Sequence, residues 1–265
     1  MKKIIFCDID GTIVDAMRNM EKPSEKTTYA FKELIKNNLV FIASGRMKCL
    51  LDDNILKLPV SGLLLANGAY VNYQGETIIN KTFSIENVQK VIDYCEENNG
   101  SYFIEYMDYL YTKSKNHENF KWLYDGWRPL REANVIEGTY DKEPCMMMCA
   151  FEDYQHIEDM KEKFGDFIDI VPHATGRSLD INIKNVSKGS AIKEVLEYFN
   201  IDKENAYAFG DGNNDIEMFG EVAHSIAMGN ASEYVKSFAK EITDSVTDDG
   251  FYNYLVKNEI IKPIE

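Results

Sequence analysis

The sequence lacks a C-x-x-C pair, although it contains five cysteines. Cysteines that lie within apolar runs usually serve as small buried thiols, and two of the five are placed in this way. Paired spacings would instead have indicated a redox or metal motif. The cysteine pattern therefore predicts reduced thiols and a cytoplasmic protein.

Long apolar runs are also absent. Asp8 and Asp10 interrupt the apolar stretch near the beginning of the chain, which makes it too short for a signal peptide. No later stretch is long enough to cross a bilayer. We therefore expect a soluble protein with no membrane partner.

Positive charge is scarce. The chain has 29 Lys and Arg against 44 Asp and Glu, a formal net charge of -15, and no basic patch stands out along it. Such a surface repels nucleic acid and anionic lipid. We therefore expect a small molecule as the partner and no binding of nucleic acid. The protein is expected to be a monomer or a homodimer.

What the sequence does contain is an alternation of strand-like and helix-like segments. Short apolar runs include "KKIIFCDI", "NLVFIAS", "GLLLAN", "NAYAFGD" and "AHSIAMG", with helical patterns such as "EKTTYAFKELIKN" and "KGSAIKEVLEYFN" among them. This alternation predicts an α/β fold with a doubly wound, Rossmann-like parallel sheet. Because ligands bind at the carboxyl ends of such strands, the residues that end the runs predict one shared crevice: Asp8, Ser44, Asn67, Asp211 and Gly229.

The middle of the chain, from about Thr82 to Asn182, follows a different pattern. It is rich in aromatic residues, with a predicted hairpin in "SYFIEYMDYLYT" that turns near Met107 and Asp108, and a predicted buried strand in "PCMMMCAF". The helical stretches "IENVQKVIDYCEENN" and "YQHIEDMKEKFG" separate these runs. We therefore predict an α+β domain, residues 82–182, inserted into a discontinuous core of residues 1–81 and 183–265.

Five motifs in order resemble those of the haloacid dehalogenase superfamily: "DIDGTIVD", "IASGR", "NGA", "VSKGSAI" and "FGDGNNDIEMF". Their order and spacing most closely resemble the Cof-type phosphatases with a type IIB cap. The stretch between Asp10 and Ser44 has room only for a flap and one crossover helix, so the insertion must follow the third strand.

The resemblance implies a catalytic role for four residues. Asp8 would be the nucleophile that forms an aspartyl phosphate, and Asp10 would protonate the leaving alcohol and then deprotonate the attacking water. Ser44 would donate a hydrogen bond to a phosphoryl oxygen, and Lys188 would place a positive charge near Asp8.

A magnesium ion is also implied, since several carboxylates would otherwise repel an anionic substrate. Hard oxygen ligands favour Mg²⁺. By resemblance the ion is coordinated by the carboxylate of Asp8, the backbone carbonyl of Asp10 and the carboxylate of Asp211, with Asn214 and Asp215 close behind.

Substrate recognition is assigned to two regions. In "GRSLDIN" the chain returns from the insertion to the core, and an extended conformation would put alternate residues on one face. Polar side chains on that face suit the hydroxyl groups of a sugar, although an exposed hairpin edge is the alternative. The candidate substrate-binding residues are Gly45, Arg46 and Asn67 from the core motifs and Arg177, Ser178, Asp180 and Asn182 from the returning segment.

Structural roles compete with some of these assignments. Ser44, Asn214 and Asp215 are suited to cap helices. Lys188 could be an exposed lysine at the start of a helix, but its charge would oppose the helix dipole there, which favours a functional role. The four histidines share no metal-ligand spacing and are expected at surface or packed positions.

A calcium-binding loop is a further alternative for the last motif. Asp211, Asn213 and Asp215 match its first three ligand positions, but Ile216 replaces the turn glycine and Val222 the closing glutamate. The sequence therefore excludes an EF-hand.

The favoured function is a Mg²⁺-dependent phosphatase of small phosphomonoesters, with sugar phosphates ahead of pyridoxal phosphate and flavin mononucleotide. A phosphomutase of the phosphomannomutase type is the alternative, because that group shares this core and cap. A non-catalytic sensor of phosphorylated metabolites is a third possibility, but such a protein would have lost a catalytic aspartate. Dehalogenation is disfavoured by Asp10, which phosphate chemistry needs and C-Cl hydrolysis does not.

Overall fold

The computed structural model describes residues 2–18, 20–138, 143–152, 155–173 and 176–264. In these ranges the strands are β1 (Ile4–Cys7), β2 (Leu39–Ala43), β3 (Gly62–Leu65), β4 (Tyr70–Tyr73), β5 (Glu76–Asn80), β6 (Ser101–Glu105), β7 (Leu110–Thr112), β8 (Val135–Glu137), β9 (Met146–Ala150), β10 (Ile168–Pro172), β11 (Ser178–Ile183), β12 (Ala206–Gly210), β13 (His224–Ala227) and β14 (Glu241–Ile242). The α-helices are α1 (Glu25–Leu34), α2 (Asp53–Leu56), α3 (Ile85–Glu97), α4 (Glu118–Gly126), α5 (Arg128–Glu132), α6 (Gln155–Phe164), α7 (Lys188–Phe199), α8 (Ile216–Gly220), α9 (Glu233–Lys236) and α10 (Gly250–Lys257).

The chain divides into two compact units. The core unit comprises Met1–Gly45, Asp53–Ile79 and Ser187–Glu265, and the inserted unit comprises Arg46–Asp52 and Asn80–Val186. The predicted insertion, 82–182, lies within the second unit, and the short segment that groups with it was not anticipated from the sequence. No helix in the described residues is both long and apolar enough to span a bilayer.

The core unit contains an eight-stranded sheet with the order β14-β13-β12-β1-β2-β3-β4-β5. Neighbouring strands from β14 to β3 are parallel, which confirms the doubly wound arrangement. Strands β4 and β5 were not anticipated from the sequence, and β4 runs antiparallel to β3. Two tight turns explain this edge, because positive φ angles at Ala66, Asn67 and Gly68 reverse the chain between β3 and β4, and positive φ angles at Gln74 and Gly75 reverse it again before β5.

Apolar side chains cover both faces of this sheet. On one face Phe6 and Phe41 belong to a buried cluster that also includes Ile192 of α7 and Met218 of α8. On the other face Phe209 of β12 contacts an aromatic ring of α10 with the centroids 4.8 Å apart. Burial on both sides accounts for the continuous apolar runs of the central strands, which show no polar alternation.

The inserted unit contains a six-stranded sheet with the order β10-β11-β9-β6-β7-β8. The pairs are antiparallel except for β7 with β8. The predicted hairpin is formed by β6 and β7, the predicted buried strand is β9, and the two predicted helices are α3 and α6. Tyr154, which begins the predicted "YQHIEDMKEKFG" helix, lies outside the described residues.

One apolar cluster lies on each face of this second sheet. Alternate residues such as Met147 and Leu179 pack with side chains of α3 and α6. The residues that alternate with these along the strands, such as Phe103 and Met148, pack with side chains of α4 and α5 on the opposite face. The inserted sheet is therefore covered on both faces, as expected for an α+β domain with its own core.

Replacing Phe41 should test the packing of the core sheet. Its ring is fully buried and lies near the rings of Phe6, Tyr73 and Phe199. We expect Phe41→Ala to lower the free energy of unfolding by about 3 to 5 kcal/mol, because it leaves a cavity that its neighbours cannot fill. Urea denaturation followed by circular dichroism measures the change. The exposed Tyr234 provides the control, and the free energy of unfolding of Tyr234→Ala should stay within about 0.5 kcal/mol of the wild-type value. Equal losses of stability in both variants would contradict the assignment of Phe41 to the core.

Candidate active site

A buried lysine joins two aspartates at the carboxyl end of β1. Asp8 directly follows this strand, and its backbone N-H donates to the carbonyl of Phe209 at 3.0 Å. The Nζ of Lys188 donates to Oδ1 of Asp8 at 2.6 Å and to Oδ1 of Asp215 at 2.7 Å. All three side chains are buried. The structure therefore brings together three residues that the sequence predicted for one site.

The position of Lys188 is set by the beginning of α7. Ser187 is the N-cap, and it forms a reciprocal capping box with Ser190. A lysine in the first turn is disfavoured by the helix dipole. Burial lowers the pKa of Lys188, but the carboxylates of Asp215 and Asp8 outweigh burial and raise the pKa overall. Lys188 thus stays positively charged in this environment.

The contact with Lys188 also affects the pKa of Asp8, the candidate nucleophile. Burial and the negative charge of Asp215 raise the pKa of Asp8, and the charge of Lys188 acts in the opposite direction. In the described residues Lys188 occupies only Oδ1 of Asp8. The second carboxylate oxygen is therefore left for a reacting group or a cation.

Asp215 organises the loop after β12. Its Oδ2 accepts hydrogen bonds from the backbone N-H groups of Asp211 and Gly212, both at 2.9 Å, while its Oδ1 binds Lys188. A Cβ on Gly210 would lie 2.4 Å from the Cγ of Asp215, so this position requires glycine. Both carboxylate oxygens of Asp215 are thus occupied by protein donors.

Asp211 is held from two directions. Thr12 Oγ1 donates to its Oδ1 at 3.3 Å, and Asn230 Nδ2 donates to its Oδ2 at 3.2 Å. Gly11, with a φ of +75°, approaches so closely that a Cβ there would lie 2.0 Å from Asp211 Oδ2. Burial, followed by the charge of Asp215, raises the pKa of Asp211 to about 7.

These acidic groups fit a hard divalent cation. Asp8, Asp211 and Asp215 each offer a carboxylate oxygen, and these atoms lie within 4.8 Å of one another. Crowded, partly desolvated carboxylates repel each other, and a cation with oxygen ligands relieves that repulsion. Asp215 is fully buried and accepts three hydrogen bonds, one of them from the charged Lys188. In the described residues Asp211 accepts only two, both from neutral side chains, and Asp8 accepts one from Lys188, so Asp8 and Asp211 are the better direct ligands.

Asp10 lies outside this acidic cluster. Strand β1 ends at Cys7, and the chain then turns, with Gly11 N-H donating to the carbonyl of Val14 at 2.7 Å. The side chain of Asp10 is exposed. Its charge nevertheless contributes to raising the pKa values of Asp8 and Asp211, so it is close enough to interact with both.

A second set of polar contacts ties together the loops after β2, β3 and β12. The backbone N-H of Asn67 donates to the carbonyl of Ser44 at 3.1 Å, and Asn214 Nδ2 donates to Asn67 Oδ1 at 3.1 Å. Asn67 has a φ of 48°, in the left-handed region that asparagine tolerates better than most residues. A Cβ on Gly45 would lie 3.0 Å from Asn67 Oδ1, so the loop after β2 also packs closely here.

The remaining candidates belong to the inserted unit. Arg46 donates to the carbonyl of Leu50 at 3.3 Å and lies over the ring of Trp127. Arg177 lies over the ring of Trp122, with its guanidinium carbon 4.4 Å from the ring centroid, and donates to Asn119 Oδ1 at 3.2 Å. Both arginines thus have structural contacts within this unit, and their role in substrate binding stays a prediction.

Strand β11 alternates as predicted. Its apolar residues, Leu179 and Ile181, belong to the buried cluster formed with α3 and α6. Ser178, Asp180 and Asn182 are also buried, between these apolar positions. The alternative of an exposed hairpin edge does not hold for this strand, because β11 is paired on both sides. Whether its polar residues contact a substrate stays a prediction.

Sequence reasoning missed Asn230. Its Nδ2 also donates to the carbonyl of Gly11 at 2.8 Å, and its Oδ1 accepts the backbone N-H of Val246 at 2.8 Å. Asn230 therefore connects the turn after β1, the Asp211 carboxylate and the segment before α10. The one available signal was its position directly after Gly229, at the end of an apolar run.

Comparisons with known proteins agree with this arrangement. The model of the haloacid dehalogenase-like hydrolase family matches residues 5–255. The Bacillus subtilis protein named "Putative phosphatase YkrA" is 28% identical over 264 residues, covering 96% of each chain. The B. subtilis protein named "5-amino-6-(5-phospho-D-ribitylamino)uracil phosphatase YcsE" is 24% identical over 253 residues, covering 94% of this chain and 92% of that protein.

A solved structure is similar over the same extent. The "HAD Subclass IIB Sugar Phosphatase BT4131" matches with a TM-score of 0.84 and 26% sequence identity, covering 98% of this chain and 100% of that chain. This similarity confirms the predicted fold, an α/β core with an inserted cap of type IIB.

Replacing Gly11 should test whether the acidic cluster binds a cation. In Gly11→Ala the new Cβ would overlap the carboxylate of Asp211 and displace it. We expect the affinity for Mg²⁺, measured by isothermal titration calorimetry, to fall about tenfold or more, as for other changes that misplace a ligand.

The matched control for that variant is Gly75→Ala. Gly75 also has a positive φ, +89°, but a Cβ there would meet no atom within 4 Å. It carries the same type of backbone strain without a contact to the cluster. Equal Mg²⁺ affinities in the two variants would show that the Asp211 carboxylate does not bind the ion.

Proposed function

Because this chain belongs to the haloacid dehalogenase-like hydrolase family and is a phosphatase, we propose that it hydrolyses small phosphomonoesters, sugar phosphates above all, through an aspartyl phosphate and with the help of Mg²⁺. The observation that carries this proposal is the buried contact of Lys188 with Asp8 and Asp215. It places a carboxylate with one available oxygen beside a fixed positive charge. Nucleophilic attack on a phosphoryl group needs this combination.

In the first step Asp8 attacks phosphorus, and the bond from phosphorus to the alcohol oxygen breaks. Lys188 holds Oδ1 of Asp8, so the other oxygen forms the new bond. Asp10 gives its proton to the departing alcohol oxygen. Its exposed position in the turn after β1 leaves it accessible to a leaving group and to water.

The second step releases phosphate. Water attacks the phosphorus of the aspartyl phosphate, Asp10 takes a proton from that water, and the carboxylate of Asp8 departs. Ser44 donates to a phosphoryl oxygen throughout. The products are the alcohol and inorganic phosphate, and both aspartates return to their starting states.

Mg²⁺ would be held by the carboxylates of Asp8 and Asp211 and the backbone carbonyl of Asp10. Asp215 and Asn214 would support these ligands, because their hydrogen bonds fix the loop that carries Asp211. When bound, the ion would offset the charge of the carboxylates and of the phosphoryl oxygens.

The proposed substrate class is supported by the similarity to BT4131, named as a sugar phosphatase, and to YcsE, whose named substrate carries a phosphorylated ribityl chain. Residues that bind phosphate and metal cannot distinguish one phosphomonoester from another. We therefore propose that specificity depends on residues 82–182 of the inserted unit, where the candidate contacts are Arg177, Ser178, Asp180 and Asn182. The other candidate contacts come from the core motifs and are Gly45, Arg46 and Asn67.

A panel of phosphorylated metabolites tests the function. With Mg²⁺ present, we expect release of inorganic phosphate from several sugar phosphates, and loss of that activity in excess chelator. Asp8→Asn should reduce turnover to background, because an amide is a poor nucleophile, and circular dichroism should show that its fold is intact. Activity of Asp8→Asn above a trace would exclude Asp8 as the nucleophile. Formation of a bisphosphate without free phosphate would indicate a mutase.

Asp10→Asn separates proton transfer from nucleophilic attack. We expect a rate decrease of about 10²- to 10⁴-fold, because the leaving alcohol no longer receives a proton. In single-turnover phosphorylation of Asp8, para-nitrophenyl phosphate should slow much less than an alkyl phosphate, since its leaving group needs little protonation. Equal slowing of the two substrates would rule out Asp10 as the general acid.

A further inference from the structure

Glu105, the last residue of β6, is fully buried, and within the described residues neither of its carboxylate oxygens has a hydrogen-bond partner. Most buried polar groups in proteins are hydrogen-bonded, and an unpaired buried carboxyl group costs several kcal/mol even in its neutral form. Such a group weakens the fold, which calls for a reason other than stability.

The surroundings of Glu105 follow from the sheet register. Glu105 pairs with Met146 of β9 and with Leu110 of β7, so the three side chains share one face. Asp180 lies on the same face, since it pairs with Met148, two residues further along β9. The thiols of Cys49 and Cys145 are also close: burial raises the pKa values of both, and a negative charge on Glu105 would raise them further.

Both influences on Glu105 oppose its ionisation. Burial, and then the negative charge of Asp180, raise its pKa well above the ordinary value. The carboxyl group therefore resists ionisation, and neither of its oxygens has a hydrogen-bond partner within the described residues.

Next to Glu105, Asp180 is already positioned by a histidine. His173 Nε2 donates to Asp180 Oδ1 at 2.9 Å, and His173 Nδ1 lies 2.8 Å from Ser178 Oγ. Burial lowers the pKa of His173, but the charge of Asp180 outweighs this effect and raises it overall. The histidine thus fixes the orientation of one carboxylate, while the second carboxyl, Glu105, has no such partner.

We propose that Glu105, together with Asp180, forms a subsite in the inserted unit that binds the primary ammonium group of an organic ligand. An ammonium group offers three hydrogen-bond donors and one positive charge. It would satisfy the oxygens of Glu105 and offset the repulsion from Asp180, whereas a hydroxyl group would leave that repulsion in place.

This inference rests on the proposed function where the ligand is the substrate, and it narrows the substrate class to phosphomonoesters that carry an amino group. Binding would ionise Glu105: its proton leaves to solvent, and the carboxylate pairs with the ammonium. No covalent bond changes. The ligand therefore binds with release of up to one proton, which a neutral sugar would not cause.

The test compares substrates that differ only in an amino and a hydroxyl group. Glucosamine 6-phosphate is paired with glucose 6-phosphate, and phosphoethanolamine with ethylene glycol monophosphate. The wild-type protein should prefer the amino member of at least one pair in kcat/KM. In Glu105→Gln, which keeps the shape but cannot ionise, that preference should fall about tenfold or more, because a buried charge pair has lost one partner.

Glu158→Gln is the control, since Glu158 lies on α6 with an exposed side chain and an ion pair to Lys161; the preference should stay unchanged in this variant. The melting temperature of Glu105→Gln should equal or exceed that of the wild type, because an unpaired buried acid is removed. A wild-type protein with no amino preference in either pair, or the same preference in Glu105→Gln, would overturn the proposal.

Calorimetry separates this inference from the proposed function. Binding of glucosamine 6-phosphate to the Asp8→Asn protein is measured in two buffers of different ionisation enthalpy, with and without Glu105→Gln. Proton release that disappears in the double variant supports the subsite even if no phosphomonoester is hydrolysed. Binding of equal strength and equal proton release in both proteins excludes it, whatever the outcome for para-nitrophenyl phosphate.

Discussion

Lys188 and its two carboxylate partners form the contact on which the geometry of the core site depends. An ammonium group that is fully removed from water is stable only when charged partners compensate for its lost hydration, and Asp8 and Asp215 do so at 2.6 and 2.7 Å. The three residues come from the end of β1, the first turn of α7 and the turn that leads into α8. Removing Lys188 would leave two buried carboxylates without their shared positive partner, at a cost of about 3 to 5 kcal/mol.

The loops around this contact are held by side chains and by close backbone approaches. Asn230 spans the turn that contains Gly11, the Asp211 carboxylate and the segment before α10. Asn67 joins the loop of Ser44 to the loop of Asn214. Parallel strands bring all these loops to one edge of the sheet, and the hydrogen bonds between them then fix positions that strand geometry alone leaves variable. A site built in this way is pre-organised for charge stabilisation, which phosphoryl transfer requires.

Two buried ionisable groups illustrate two different uses of burial. Lys188 is charged and has two partners, so it contributes to a fixed electrostatic environment. Glu105 is buried without a hydrogen bond in the described residues, so its polar atoms remain available. The first arrangement stabilises a defined geometry, and the second carries the free-energy cost of unpaired buried polar atoms. The core unit thus holds a buried charge that is paired, and the inserted unit holds a buried carboxyl group that has no hydrogen bond in the described residues.

The sequence by itself determined the fold class and predicted the inserted α+β domain, because apolar periodicity and motif order depend on local chain properties. It also predicted for one site Asp8, Lys188, Asp211 and Asp215, four residues that the structure brings together. It did not reveal the edge strands β4 and β5, the role of Asn230, or the inclusion of Arg46–Asp52 in the inserted unit. It also could not show that both oxygens of Asp215 are occupied or that Glu105 lacks a partner. These features were decided only by the tertiary structure, because the hydrogen bonds and burial of a side chain depend on residues far away in sequence that folding brings to it.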